Sequence, residues 1–147
     1  MTHIRFTVWI ALAIVVATTA VVYTPGLDGP FLFDDNVHIS QNRWVKIEAL
    51  GWQELMQAWN SSFNAFPSNR PLAQVSFGIN HAMAGLDPWA YKTTNVILHL
   101  LGGLLVFVFV RLAFRALHGT DVDQRPGHIL AAVTAAVWLL HPIHVST

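Results

Sequence analysis

The chain contains no cysteine. Disulfides, thiolate metal sites and a cysteine nucleophile are therefore excluded, and the redox compartment is left open. Charge is scarce as well: charged residues make up 11 % of the 147, against roughly a quarter in an ordinary globular protein. The 8 basic and 8 acidic side chains cancel, so no field of one sign points to a polyanion, and nucleic-acid binding is set aside. What fills the chain is hydrocarbon, 54 % of it apolar, with 6 tryptophans. Trp44, Trp52, Trp59 and Trp89 lie outside the long apolar runs. That is where an indole belongs in a membrane protein, at the level of the headgroups.

Three runs are candidates to cross a bilayer. Residues 6–23, FTVWIALAIVVATTAVVY, cover roughly 27 Å as a helix, close to the hydrocarbon thickness. A cleaved signal peptide is the competing reading, but its apolar stretch is shorter and its small-residue cleavage pattern is poorly matched here. Residues 94–114 form the second run, in which Gly102 and Gly103 allow a neighbouring helix to approach closely. Residues 129–145 form the third. With three spans, Arg5, Arg111, Arg115 and Arg125 fall on one side, and Lys92 with Arg43 on the other. The excess of arginine places the N-terminus and the loop 115–128 in the cytoplasm, and residues 24–92 outside. The expected architecture is an all-α membrane protein: a single membrane domain over residues 1–147, multi-pass, with three transmembrane helices. In a bacterium it would lie in the inner membrane.

The external segment is punctuated. Pro25, Gly26, Gly29 and Pro30 mark its entry. From Asn42, NRWVKIEALGWQELMQAW places Trp44, Ile47, Leu55 and Trp59 near one helical face, interrupted at Gly51. Such an amphipathic helix would lie on the membrane or pack on other protein. Pro71 suits the first position of a helix running to about Ala84, and Gly85 suits its stop. Asp87 and Pro88 then begin a helix that continues into the second span, with Asp87 as its N-cap.

The polar residues that could carry chemistry are few. Asp34 and Asp35 sit in GPFLFDDNVHISQN, between Phe31, Leu32, Phe33 and the 37–39 stretch. A helix-capping turn is the plain reading of such a pair. Two adjacent carboxylates in an apolar setting also repel, which raises one pKa and suits a general base, unless a cation neutralises them. Arg70, heading a surface helix, is well made to bind phosphate, or reads as an arginine that snorkels to the lipid headgroups. His99 in the second run and His141 in the third stand at similar depth on the external side, with Asn95 one turn outward of His99. They read as the polar floor of a cavity, or as imidazoles bonded to a neighbouring helix. The HPIH string, which also contains His144, lacks the acidic partner of a zinc helix motif.

Together, GPFLFDDNVHISQN, NRPLAQVSFGINHAMAGLDPWAYKTTNVILHLL and AAVTAAVWLLHPIHV resemble the N-terminal part of GT-C type integral-membrane glycosyltransferases. The match is to the protein O-mannosyltransferase-related subgroup that carries tetratricopeptide repeats. The resemblance implies a partial GT-C fold and a polyprenyl-phosphate-linked sugar as donor, moved to an acceptor hydroxyl at the extracytoplasmic face. It places Asp34 and Asp35 in the first external loop as catalytic base or as holders of a divalent metal ion. Arg70, His99 and His141 would line the same cavity. Family members carry a glutamate shortly after the HP motif, where this chain has Val145, Ser146 and Thr147. They also have many more spans, so the chain is expected to be a fragment of a longer catalytic unit and inactive alone. The acceptor, whether protein, lipid or glycan, is not specified. The alternative from another class is a noncatalytic membrane scaffold or partner-binding protein. A haem or metal subunit ligated by His99 and His141 is the third reading.

Overall fold

The computed structural model describes residues 2–64, 69–120 and 122–141, with side chains from Trp9 onward. Among these residues every regular element is a helix: α1 (Thr2–Leu27), a π-helical turn (Asn36–Ser40), α2 (Trp52–Asn64), α3 (Pro71–Ala84), α4 (Pro88–His118) and α5 (Arg125–Leu140). The chain divides into two compact units, one of residues 1–25 with 95–147 and one of residues 26–94.

Two helices among the described residues are long and apolar enough to cross a membrane, over Trp9–Leu27 and Pro88–His118. Only 11 % of the apolar window is buried in either, whereas the core helix of a soluble protein would be mostly covered. Ile14, Val21, Leu105 and Phe109 instead turn outward, as lipid-facing side chains do. The chain is therefore a membrane protein. Of the three expected spans, two are helices long and apolar enough to cross. The third candidate appears as α5, which starts ahead of the expected 129 and has 16 residues, roughly 24 Å. Residues 142–145 of that run, including His144, lie outside the described residues.

In the first unit, α4 and α5 run antiparallel. His99 of α4 meets the backbone of Leu139, while Phe114 near the other end packs on Gly127 of α5. The sequence reason is a stripe of small residues: Gly127, Ala131 and Ala135, each four apart, are all buried on α5. Facing them is Gly103 of α4, where an added Cβ would lie 2.5 Å from Leu139 Cγ. Leu12 of α1 joins Phe107, Ala131 and Ala135 in one apolar cluster. Trp9 adds a tilted ring contact to Phe107 at 5.6 Å.

The second unit is built on α2 packed against α3. Gly78 allows the close approach: a Cβ there would meet Ala58 Cβ at 3.2 Å and Ile47 Cδ1 at 3.1 Å. The helix expected from Asn42 begins only at Trp52, so Trp44 and Ile47 are not helical. The cause is local. Asn42 Oδ1 accepts from Trp44 N at 3.1 Å, a turn that competes with helical bonding. Val45 and Ile47 are buried in the core of the unit instead.

Candidate functional site

Asp34 and Asp35 follow Phe33, whose φ of 47° lies in the left-handed region. A bulky residue held there costs on the order of 1–3 kcal/mol, and such positions cluster at functional turns. The acid pair then opens the π-helical turn: Asp34 O accepts from Val37 N at 3.0 Å and from His38 N at 2.9 Å. The two carboxylates differ. Asp35 Oδ2 accepts from Leu32 N at 3.2 Å, closing the turn on itself. Asp34 is exposed, and its carboxylate accepts no hydrogen bond among the described residues.

The apolar setting expected around the pair is present but outward-facing. Phe33 is 89 % exposed and Leu32 53 %. They form a greasy lip beside the acids rather than a pocket around them.

What holds the loop in place lies on either side of it. Ahead of the acids, Phe31 packs edge-on against Tyr91 at 5.3 Å, and Tyr91 donates its hydroxyl to Gly85 O at 3.1 Å. Lys92 Nζ donates to Gly26 O at 2.9 Å, over Gly29, where a side chain would collide with it. After the acids, Ile39 is buried and Asn42 Nδ2 donates to Gln74 Oε1 at 3.1 Å. Ser61 Oγ lies 3.3 Å from the same Gln74 oxygen and 2.7 Å from Ala58 O. Asn42, Ser61 and Gln74 are all fully buried or nearly so. Such a network must be satisfied in place, so it fixes one arrangement of loop, α2 and α3.

Arg70 is positioned by its backbone. Its N–H donates to the buried Ser62 Oγ at 2.7 Å, and its carbonyl accepts from Gln74 N at 3.1 Å. Asn69, immediately before it, also takes a left-handed φ, 51°. The guanidinium is exposed at the head of α3. Among the described residues it forms no ion pair with Asp34 or Asp35. The acid loop and the arginine helix are instead tied through Asn42 and Gln74, the latter one turn into α3 from Arg70.

His99 and His141 belong to the other unit. His99 Nε2 lies 3.1 Å from Leu139 O, a carbonyl in the last turn of α5 that has no helical partner of its own. Its ring stacks on Trp138 and tilts against Tyr23 at 5.3 Å. His141 is the exposed residue that ends α5. The two imidazoles therefore stand at the same end of the helix pair, and His99 acts there as a cap on α5. Among the described residues no group of three His, Asp or Glu side chains is arranged to hold a metal ion.

The buried network is what sequence reasoning missed. Asn42, Ser61, Ser62 and Gln74 each lay within or beside motifs noticed for their charges. Their signal was weak: uncharged polar residues set among apolar neighbours.

The chain has sequence relatives among known proteins. The Homo sapiens protein O-mannosyl-transferase TMTC4 is 32 % identical over 143 residues, covering 89 % of this chain and 19 % of the relative. The Drosophila melanogaster protein O-mannosyl-transferase Tmtc1 is 30 % identical over 136 residues, 87 % of this chain and 14 % of the relative. The chain is related to protein O-mannosyl-transferases. The Homo sapiens TMTC2 enzyme matches a shorter stretch, 34 % identical over 82 residues, 52 % of this chain and 10 % of the relative. The chain thus spans about a tenth to a fifth of the length of these relatives. No family model matches it, and no solved structure does.

Proposed function

We propose that the chain supplies the acidic edge of a membrane glycosyltransferase of GT-C type, which moves a sugar from a polyprenyl-phosphate donor to an acceptor hydroxyl. The observation that carries this reading is the similarity to protein O-mannosyl-transferases across nearly the whole chain. Mannose is accordingly the sugar to test first. The site works at the extracytoplasmic surface, with the N-terminus cytoplasmic and α5 completing a third crossing.

Asp34 is the base and Asp35 the residue that shapes the turn. The Asp35 carboxylate is engaged by Leu32 N, whereas that of Asp34 is open to an incoming hydroxyl. In the reaction the acceptor oxygen attacks the anomeric carbon from the face opposite the phosphate. As that bond forms, the bond from carbon to phosphate oxygen breaks, and the electron pair leaves with the polyprenyl phosphate. The hydroxyl proton passes to Asp34, and the anomeric configuration inverts. Arg70 meets the donor phosphate, which a lipid carrier holds at headgroup depth. The exposed Leu32, Phe33, Trp52 and Trp89 support an interfacial position for this unit. Were a divalent ion bound, Asp34 and Asp35 would be the residues to hold it, and it would neutralise the repulsion between them.

The test is a chimera in which the chain replaces the matching segment of the TMTC4 relative. Transfer of labelled mannose from a polyprenyl-phosphate donor is then measured in membranes. Asp34→Asn should lower turnover by about 100-fold or more, the scale of a lost general base. Asp35→Asn should retain more activity than Asp34→Asn. Full activity of the Asp34→Asn chimera would sink the assignment. A second reading, a noncatalytic scaffold, draws on the self-closure of the Asp35 turn and the capping role of His99. It predicts a chimera with no transfer at all.

A further inference from the structure

At the end of α4 away from His99, the α4–α5 hairpin forms an open-mouthed cavity of about 190 Å³. Arg111 and Arg115 of α4, Thr120 and Gln124 of the connection, and Gly127 and His128 of α5 line it. Its volume is many times the ~10–15 Å³ that one water needs.

The connection is held by its own polar groups. Gln124 Nε2 donates to Gly119 O at 2.9 Å and to Val122 O at 3.1 Å. The Nδ1 of His128 lies 2.6 Å from Gln124 O. These bonds use up much of the polar lining and leave the two arginines as the cations facing the cavity. They stand one helical turn apart on one face of α4, where like charges repel. Among the described residues neither forms an ion pair; the guanidinium of Arg125, outside the lining, is the one that approaches a carboxylate, Asp123 at 3.7 Å. Arg111 is further oriented by Phe107, whose ring centroid lies 5.9 Å from its Cζ. At the opposite rim is the first turn of α5, an end that carries partial positive charge.

Two guanidinium groups without an ion-pair partner among the described residues, Arg111 oriented by Phe107 and Arg115 exposed beside it, line one wall of a cavity that Leu112 also lines, and together they can bind a tetrahedral oxyanion through their forked N–H groups. We infer that this cavity binds a phosphate group. Because α4 is long enough to cross a bilayer and the cavity sits at one of its ends, the phosphate is within reach of an anionic phospholipid headgroup or of free phosphate in solution. The inference is independent of sugar transfer: it concerns other residues, and a failure of the glycosyltransferase reading leaves it standing.

The test uses the full chain in uncharged detergent and a fluorescent phosphatidylglycerol, with binding read by anisotropy. The Arg111→Gln/Arg115→Gln double variant should weaken binding about 20- to 30-fold, the scale for two basic residues at a membrane surface. Arg125→Gln removes the same kind of charge outside the cavity and should change binding less than about twofold. Far-UV circular dichroism checks that the variants fold. Should the double variant fail to fold, the exposed Arg115→Gln alone carries the test, with a loss of about fivefold. Displacement of the probe by inorganic phosphate assigns the cavity to the free anion; failure of phosphate to displace it assigns the lipid. Equal losses in Arg125→Gln and the double variant, or equal affinity for a fluorescent diacylglycerol, which lacks the phosphate, would overturn the inference.

Discussion

The sharpest structural prediction concerns two adjacent glycines. Gly103→Ala puts a methyl group against Leu139, 2.5 Å from its Cγ, whereas Gly102→Ala meets only Trp138 Nε1 at 3.7 Å, an ordinary contact. The Leu139 atoms involved include the branch point of the side chain and not merely its tip, so a rotamer change gives limited relief. Overpacking of this kind costs about 1–3 kcal/mol. Leu139 also offers the carbonyl that His99 binds. Displacing α5 would forfeit that interhelical bond, worth about 0.6 kcal/mol in a membrane protein. The expected loss for Gly103→Ala is therefore about 2 kcal/mol. Gly102→Ala should leave stability unchanged or raise it by up to about 1 kcal/mol through better helix propensity. Thermal unfolding of both variants in mild detergent, followed by far-UV circular dichroism, makes the comparison. Equal stabilities for the two would refute the close packing of α4 on α5 and the capping role given to His99.

Other outcomes follow from the acid-loop unit. Gln74→Leu strips the buried partner from Asn42 Nδ2 and should destabilise the protein by about 1–3 kcal/mol, since a buried donor is left unsatisfied; an unchanged unfolding midpoint would contradict the network. Phe33→Gly relieves the left-handed strain and should hold or raise stability by about 1 kcal/mol, read by the same assay. Asp87→Ala removes the N-cap bond to Trp89 N and should cost about 0.5–2 kcal/mol; an unchanged midpoint would show that this cap carries no weight.

Local signals in the sequence were faithful where the stabilising groups are neighbours in the chain. Pro71 and Gly85 bracket α3 as expected, with Gly85 at a φ of 63°, and Asp87 caps a helix that runs unbroken from Pro88 to His118. The same reading failed over residues 42–50. There the deciding contact joins Asn42 to Gln74, 32 positions away, and helical periodicity carries no trace of it. The candidate site was legible in residue types but not in their arrangement. Adjacent carboxylates were plain in the sequence. That Asp35 turns back on Leu32 while Asp34 stays open depends on the left-handed Phe33, which no composition rule anticipates. His99 was legible as a polar residue at membrane depth, but its partner is a backbone carbonyl exposed only because α5 ends where it does. Small-residue spacing was the more reliable guide: Gly103 does bring two helices together, and Gly102 beside it makes only an ordinary contact.

The proposed function requires Asp34 and Asp35 to lie outside the membrane and the α4–α5 connection to lie within the cell. Because the chain has no cysteine, each position can be probed by one substitution and a membrane-impermeant thiol reagent. Asp34→Cys should label in intact cells, and Val122→Cys only after permeabilisation. The reverse pattern would contradict the account.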